Sequence, residues 1–181
     1  SEGELLQIEK ARRLDITEEV YYEIIRRKTA SLIAACCAAG AASAGADPDR
    51  VELMRSFGEE MGIAFQIKDD LLDFAPSAIT GKPTGGDVKE RKMTLPLIHT
   101  LQCLKPLQRR ALVRGIKRSK DNPAEAQRIM DHILEGPGMA YTEAKMKEHR
   151  DRAVALLDAL SDGPAKTGLI DLVDFTISRK K

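Results

Sequence analysis

The sequence predicts an all-α protein, a helical bundle. Apolar residues recur at three- and four-residue spacing over long stretches. Helix caps punctuate the chain, and no segment alternates apolar and polar residues for more than a few positions, as a strand would. At 181 residues the chain can form one domain with a real core, or part of a larger one. It holds no internal repeats and no low-complexity tracts.

Leu5, Leu6 and Ile8 fit the end of a helix that starts at residue 1 without a capping signal, so the chain is expected to begin inside an element. Asp15 or Thr17 can cap the next helix, whose first turn carries Glu18 and Glu19 at the dipole end that favours acids. That helix is expected to run through Ile24, Ile25, Lys28 and Leu32 into the small-residue stretch from Ala34 to Ala44, and to end near Gly45. Small side chains there admit a neighbouring helix closely. Asp47 followed by Pro48 reads as an N-cap and first helical residue. A long helix follows to about Phe74, with Val51, Met54, Phe57, Met61, Phe65 and Leu72 on its apolar spacing. Residues 75–93 are expected to form a loop rich in Gly, Pro and Lys. Further helices are predicted near 94–104, 106–118, 123–134 (Asn122 cap, Pro123 at N1), 139–160 and 164–179.

Composition excludes several function classes. The 29 basic and 28 acidic residues nearly cancel, which argues against a broad nucleic-acid footprint or a polybasic membrane patch. Trp is absent and aromatics make up 4% of the chain, so base-stacking platforms are not expected. No apolar stretch reaches the roughly 20 residues that span a bilayer, and no signal-peptide pattern opens the chain. A cytoplasmic protein without a transmembrane segment is the expectation. Cys36, Cys37 and Cys103 give no disulfide or C-x-x-C pattern, and their Ala-rich surroundings predict buried, reduced thiols.

Three carboxylates stand within about one turn at Asp69-Asp70-Leu71-Leu72-Asp73, just before Pro76. A helix C-terminus disfavours acids by up to about 1 kcal/mol each. Two carboxylates about 4 Å apart repel by about 4 kcal/mol at an effective dielectric of 20. Asp69 and Asp73, four residues apart, share a face with Gln66, and Asp70 lies about 100° round the axis. A solvated acidic helix end is the competing reading. The apolar flanks Phe65, Ile67, Leu71, Leu72 and Phe74 speak against it, because they surround the helix and imply burial, and buried acids need partners. A hard, oxygen-seeking cation such as Mg²⁺ is the fitting one.

The segment from Thr80 to Lys92 adds glycines that let backbone N–H groups approach an anion, and Lys82, Lys89, Arg91 and Lys92 add charge. It is no phosphate-binding P-loop, since the positions that would need Gly and Ser or Thr, 76 and 83, are both Pro. Lys28-Thr29, behind Arg26-Arg27, reads by itself as a solvated basic cluster. His99, His132 and His149 have no ligand-like spacing.

In order and spacing, Lys28-Thr29-Ala30, Gly62-x-Ala64-Phe65-Gln66-x-x-Asp69-Asp70-Leu71-Leu72-Asp73, Gly81-Lys82-x-x-Gly85-x-Asp87 and Lys92-x-Thr94-Leu95-Pro96-Leu97 resemble the C-terminal half of a trans-isoprenyl (polyprenyl) diphosphate synthase. The likeness is strongest to bacterial long-chain, octaprenyl-type members. It takes in Glu2-Gly3-Glu4-x-x-Gln7 and extends to Arg179-Lys180-Lys181. The resemblance implies a homodimeric, all-helical isoprenoid-synthase fold in which residues 1–181 form the C-terminal part of one domain, its N-terminal half absent. It implies a transferase that condenses isopentenyl diphosphate with an allylic prenyl diphosphate, using Mg²⁺. Asp69 resembles the direct metal ligand of the family's second acidic motif, with Asp70 and Asp73 its water-mediated supporters. Lys28, Lys82 and Lys92 resemble diphosphate contacts, Thr29 and Gln66 polar groups beside the developing cation, and Asp87 an orderer of the loop. The family's first acidic pentad has no counterpart here, so the chain alone is expected to turn over little or not at all. Two alternatives are weighed: a non-catalytic regulatory subunit of a heteromeric synthase, and a terpene cyclase of the same fold. The acids with Lys82 oppose the first. The Gly-Lys loop opposes the second.

Overall fold

The structure, a computed structural model, describes residues 3, 5, 7, 16–75 and 85–180. Helix α3, Pro48–Asp73, is its axis, because two long helices and the terminal one lie against it. Asp47 starts it by accepting a hydrogen bond from the Arg50 amide at 2.8 Å, with Pro48 at the first helical position. Before it come α1 (Glu18–Ile25), a five-residue π-helical turn (Arg26–Ala30) and α2 (Ser31–Ser43). After it follow α4 (Gly86–Lys89), α5 (Leu95–Cys103), α6 (Pro106–Ser119), α7 (Pro123–Glu135), α8 (Gly138–Leu156), a 3₁₀ turn (Leu157–Ala159) and α9 (Pro164–Ser178). No strand occurs among the described residues, so the expected all-helical fold holds.

Thr17 and Asn122 cap α1 and α7 as their side chains allow. Two differences from the sequence expectation matter. The helix foreseen from Thr17 to Gly45 is interrupted by the π turn, closed by the Ser31 amide on the Arg26 carbonyl. Its mark is a single five-residue step between the buried positions Ile25 and Ala30. The supposed loop 75–93 contains the short helix α4, entered through Gly85 at φ 77°, a left-handed conformation natural to glycine.

Two apolar clusters result. The larger joins Tyr21, Ile24 and Ile25 of α1 to Ile63, Ile67 and Leu71 of α3, and to buried residues of α5–α8. The smaller centres on Phe57 and Met61 with Ala153, Leu157 and Val173. Between α2 and α3 the small residues do what was expected of them. A Cβ on Gly62 would stand 2.6 Å from the Ala30 Cα, and one on Gly58 2.8 Å from the Ala34 Cα. The three cysteines are unpaired, but Cys36 and Cys103 are exposed, not buried as expected. For Cys36 the reason is local: Leu32, Cys36 and Ala39 occupy the side of α2 turned away from α3, and no described element covers it.

A matched pair of substitutions tests the close contact. Gly62→Ala must push two backbones apart and is expected to lower stability by about 1–3 kcal/mol. Gly40→Ala, with no atom within 4 Å of its added Cβ and an exposed helical site, should raise it by about 0.5–1 kcal/mol. Urea denaturation midpoints of the two variants read the outcome, and equal shifts would refute the contact.

Candidate active site

The π turn widens the helix by one residue and brings Lys28 and Thr29 to the mouth of a cleft of about 740 Å³. Lys28 Nζ donates to Gln7 Oε1 at 3.2 Å. The Arg26-Arg27 pair that precedes it is spent on surface acids: Arg26 holds Glu59 at 2.8 Å and Arg27 holds Glu23 at 2.6 Å. Lys28 alone of the three basic residues lines the cleft.

Across from the π turn, one face of α3 presents Gln66, Asp69, Asp70 and Asp73. Thr29 Oγ1 donates to Gln66 Oε1 at 2.9 Å, and Gln66 Nε2 donates to Asp70 Oδ1 at 3.4 Å. The other oxygen of Asp70 accepts from the Tyr21 hydroxyl at 2.7 Å. A chain of hydrogen bonds thus runs Thr29–Gln66–Asp70–Tyr21, with the Gln66 carbonyl oxygen turned toward the π turn. Asp70 is 6% exposed. Burial pushes its carboxyl up to about 7; the bond from Tyr21 opposes this, the charge of Asp87 adds to it, and Gln66 holds it back. Burial and the Asp70 charge raise the Tyr21 hydroxyl well above its ordinary value.

Asp73, half-buried, receives the start of α4. The Asp87 amide donates to Asp73 Oδ2 at 3.1 Å, and the Gly85 amide to the Asp73 carbonyl at 3.0 Å. Burial first and the Asp87 charge second push the Asp73 carboxyl up to about 6, against the pull of the Asp87 and Gly86 amides. Lys92 is engaged by two acids, Asp87 at 2.9 Å and Glu90 at 2.8 Å. Burial works against its charge, but those hydrogen bonds prevail and raise its pKa. Asp87 is therefore joined both to Asp73 and to Lys92.

Asp69 is far more accessible than Asp70, its side chain 42% exposed. It is paired with Arg179, whose guanidinium also lies over the Phe65 ring, 4.2 Å from its centroid. No group of three or more His, Cys, Asp or Glu side chains among the described residues is gathered closely enough to enclose a metal ion. The residues expected at the site thus come together in one cleft: Lys28, Thr29, Gln66, Asp69, Asp70, Asp73, Asp87 and Lys92. Lys82 lies outside the described residues. Sequence reasoning missed Tyr21 and the contact of Arg179 with Asp69. Tyr21 stands seven residues, two helical turns, before Lys28, which was the available signal; a pairing of residues 110 apart had none.

The chain is thus an all-helical protein with a cleft lined by acids and lysines. Residues 1–133 match the polyprenyl synthetase family, and the chain is a member of it. It is 32% identical to the octaprenyl diphosphate synthase of Escherichia coli over 186 residues, covering 100% of this chain and 56% of that protein. Against the geranylgeranyl diphosphate synthase of Sulfolobus acidocaldarius the identity is 35% over 185 residues, with the same coverage. Among solved structures, the polyprenyl synthase of Caulobacter crescentus, complexed with calcium and isoprenyl diphosphate, superposes with a TM-score of 0.91 at 35% identity, covering 99% of this chain and 55% of that one. The chain spans about half the length of the curated relatives it matches.

The buried acids set the pH response. Asp70 and Asp73 hold protons more tightly folded than at their ordinary value of 3.8, so they favour the folded state most at low pH. Their contribution should fall as pH rises from about 4 to between 6 and 7, then level off. Asp70→Asn is expected to flatten that fall, gaining stability relative to the unsubstituted chain between pH 4 and 7. Urea midpoints across this range check it; an unchanged slope would count against a buried, proton-holding Asp70.

Proposed function

We propose that this chain supplies the second acidic motif and part of the diphosphate-binding surface of a trans-polyprenyl diphosphate synthase. That enzyme joins isopentenyl diphosphate to an allylic prenyl diphosphate, and residues 1–181 are the C-terminal part of its helical domain. The observation that carries the reading is convergence. Asp69, Asp73 and Gln66 from α3, Lys28 and Thr29 from the π turn, and Lys92 beyond α4 line one cleft. An interaction module without chemistry has no use for opposed acids and cations across a cavity. The relatives' names, all synthases, likewise disfavour the regulatory-subunit alternative.

The family is generally metal-dependent, and for this chain we take the ion to be Mg²⁺. The donor set fits: Mg²⁺ keeps several waters and takes one or two carboxylates together with substrate phosphate oxygens, so a closed cage of three protein acids is not required. Asp69 and Asp73 would hold it. Asp70, with both oxygens engaged by Tyr21 and Gln66, would act through water and by orienting its neighbours. When bound, the ion supplies positive charge against the departing diphosphate. Lys28, with Lys82 and Lys92, would contact diphosphate oxygens. Thr29 and Gln66 set their oxygens beside the allylic carbon, where positive charge develops as the diphosphate leaves. The apolar wall of the cleft, Ile16, Ile24, Ile25 and Leu72, excludes water from that cation. We further read the complete enzyme as a cytoplasmic homodimer; no described helix is long and apolar enough to cross a membrane.

Calorimetry with inorganic pyrophosphate tests the reading on the chain itself. Affinity should require Mg²⁺ and drop at least tenfold when Asp69 and Asp73 are both replaced by Asn. Pyrophosphate affinity that ignores both the ion and the substitutions would sink the assignment.

A further inference from the structure

The near balance of charge along the chain conceals one strongly uneven helix. From Lys105 to Lys120 the sequence carries seven basic residues and no acid, so the other residues together are net negative. α6 lies in the middle of this stretch. Leu112, Gly115, Ile116 and Ser119 are buried. Leu107, Arg110, Arg114, Lys117 and Arg118 are exposed and, at 100° per residue, lie on the opposite side of the helix. Arg110, Arg114 and Arg118 follow one another at four-residue intervals. Like charges at that spacing destabilise a helix by about 0.2–0.5 kcal/mol per pair.

Inside the protein, among the described residues, only the charge of Glu125 on α7 acts against that of Arg118, without forming an ion pair with it. Among the described residues none of Arg110, Arg114, Lys117 and Arg118 forms an ion pair. The facing acid of α7, Glu125, is bound by Arg128 at 2.7 Å. Arg91 adds a further guanidinium to this end of the helix, donating to the Lys117 carbonyl at 2.7 Å. Within the same outward face sits Leu107, 78% exposed.

We infer that the outer face of α6 is a docking surface for an anionic lipid bilayer, on which the helix lies flat. Several Lys and Arg residues on one side of an amphipathic helix match the negative potential of acidic headgroups, and an apolar side chain among them can enter the acyl boundary. At 14 residues the helix is about 20 Å long, enough to set four cations on headgroups at once. Leu107 and the lack of any aromatic residue in α6 favour a lipid surface over a nucleic acid, whose bases call for stacking partners.

Co-sedimentation of the 181-residue chain with vesicles, no diphosphate present, tests this apart from the proposed catalysis. Binding is expected to vesicles of phosphatidylcholine mixed with phosphatidylglycerol, to weaken at high salt, and to be absent for phosphatidylcholine alone. Each neutralised cation should cost about fivefold in partition, so R110Q/R114Q/K117Q/R118Q should bind at least a hundredfold less. R110K/R114K/R118K should retain binding, as should R50Q/R55Q on α3; circular dichroism confirms that each is folded. Equal binding to neutral vesicles, unaltered binding by the quadruple variant, or tighter binding to a duplex oligonucleotide than to acidic vesicles at the same salt would overturn the inference.

Discussion

A carboxylate in a helical core, Asp70, governs the arrangement around the cleft. A buried acid without partners is prohibitive, and here neutral donors from different elements meet it, Tyr21 from α1, Gln66 one turn back on α3 and the Leu95 amide of α5. Satisfying it locks α1 against α3 and fixes which end of the Gln66 amide faces Thr29. The same demand keeps Asp70 buried at the cleft wall, while Asp69 and Asp73 are the more accessible acids lining it. Three acids adjacent in sequence therefore have three environments: one buried and bonded to neutral groups, one held by backbone amides, one at the surface beside an arginine.

The fold supports this through close backbone contact. Gly58 and Gly62 let α2 approach α3 until side chains there are unnecessary, and the long helix can then carry Gln66 and the acids at a fixed height. On its far side α8 and α9 seal the smaller cluster around Phe57. Arg179, just past α9, reaches Asp69, so the last helix also touches the cleft.

Much of this was legible in the sequence because its signals were local. Asp47-Pro48 and Asn122-Pro123 each announce a helix start, and apolar spacing carries α3 to Asp73. The acidic pentad among apolar neighbours pointed to buried carboxylates. What escaped detection depends on tertiary distance or a subtle change of helical pitch. Tyr21 belongs to the site only because α1 crosses α3, and the Asp69–Arg179 pair joins opposite ends of the chain. The exposed thiol of Cys36 shows the limit of arguing burial from apolar neighbours: an Ala-rich helix needs a second element to cover it. The cation row on α6 went unseen for a simpler reason. A whole-chain sum cannot report where its charges stand.

The π turn fixes the relation between two surfaces that never touch. Before it, Tyr21, Ile24 and Ile25 point into the larger core; Ala30 at its end and Ala34 beyond it lie against Gly62 and Gly58 of α3. A regular α-helix advances 100° per residue, so the one extra residue in the turn sets the angle between these stripes. Losing it would swing the alanines about a quarter-turn out of phase and set bulkier neighbours against Gly58 and Gly62. Chain length within residues 26–30 is thus pinned by helix packing as well as by the cleft.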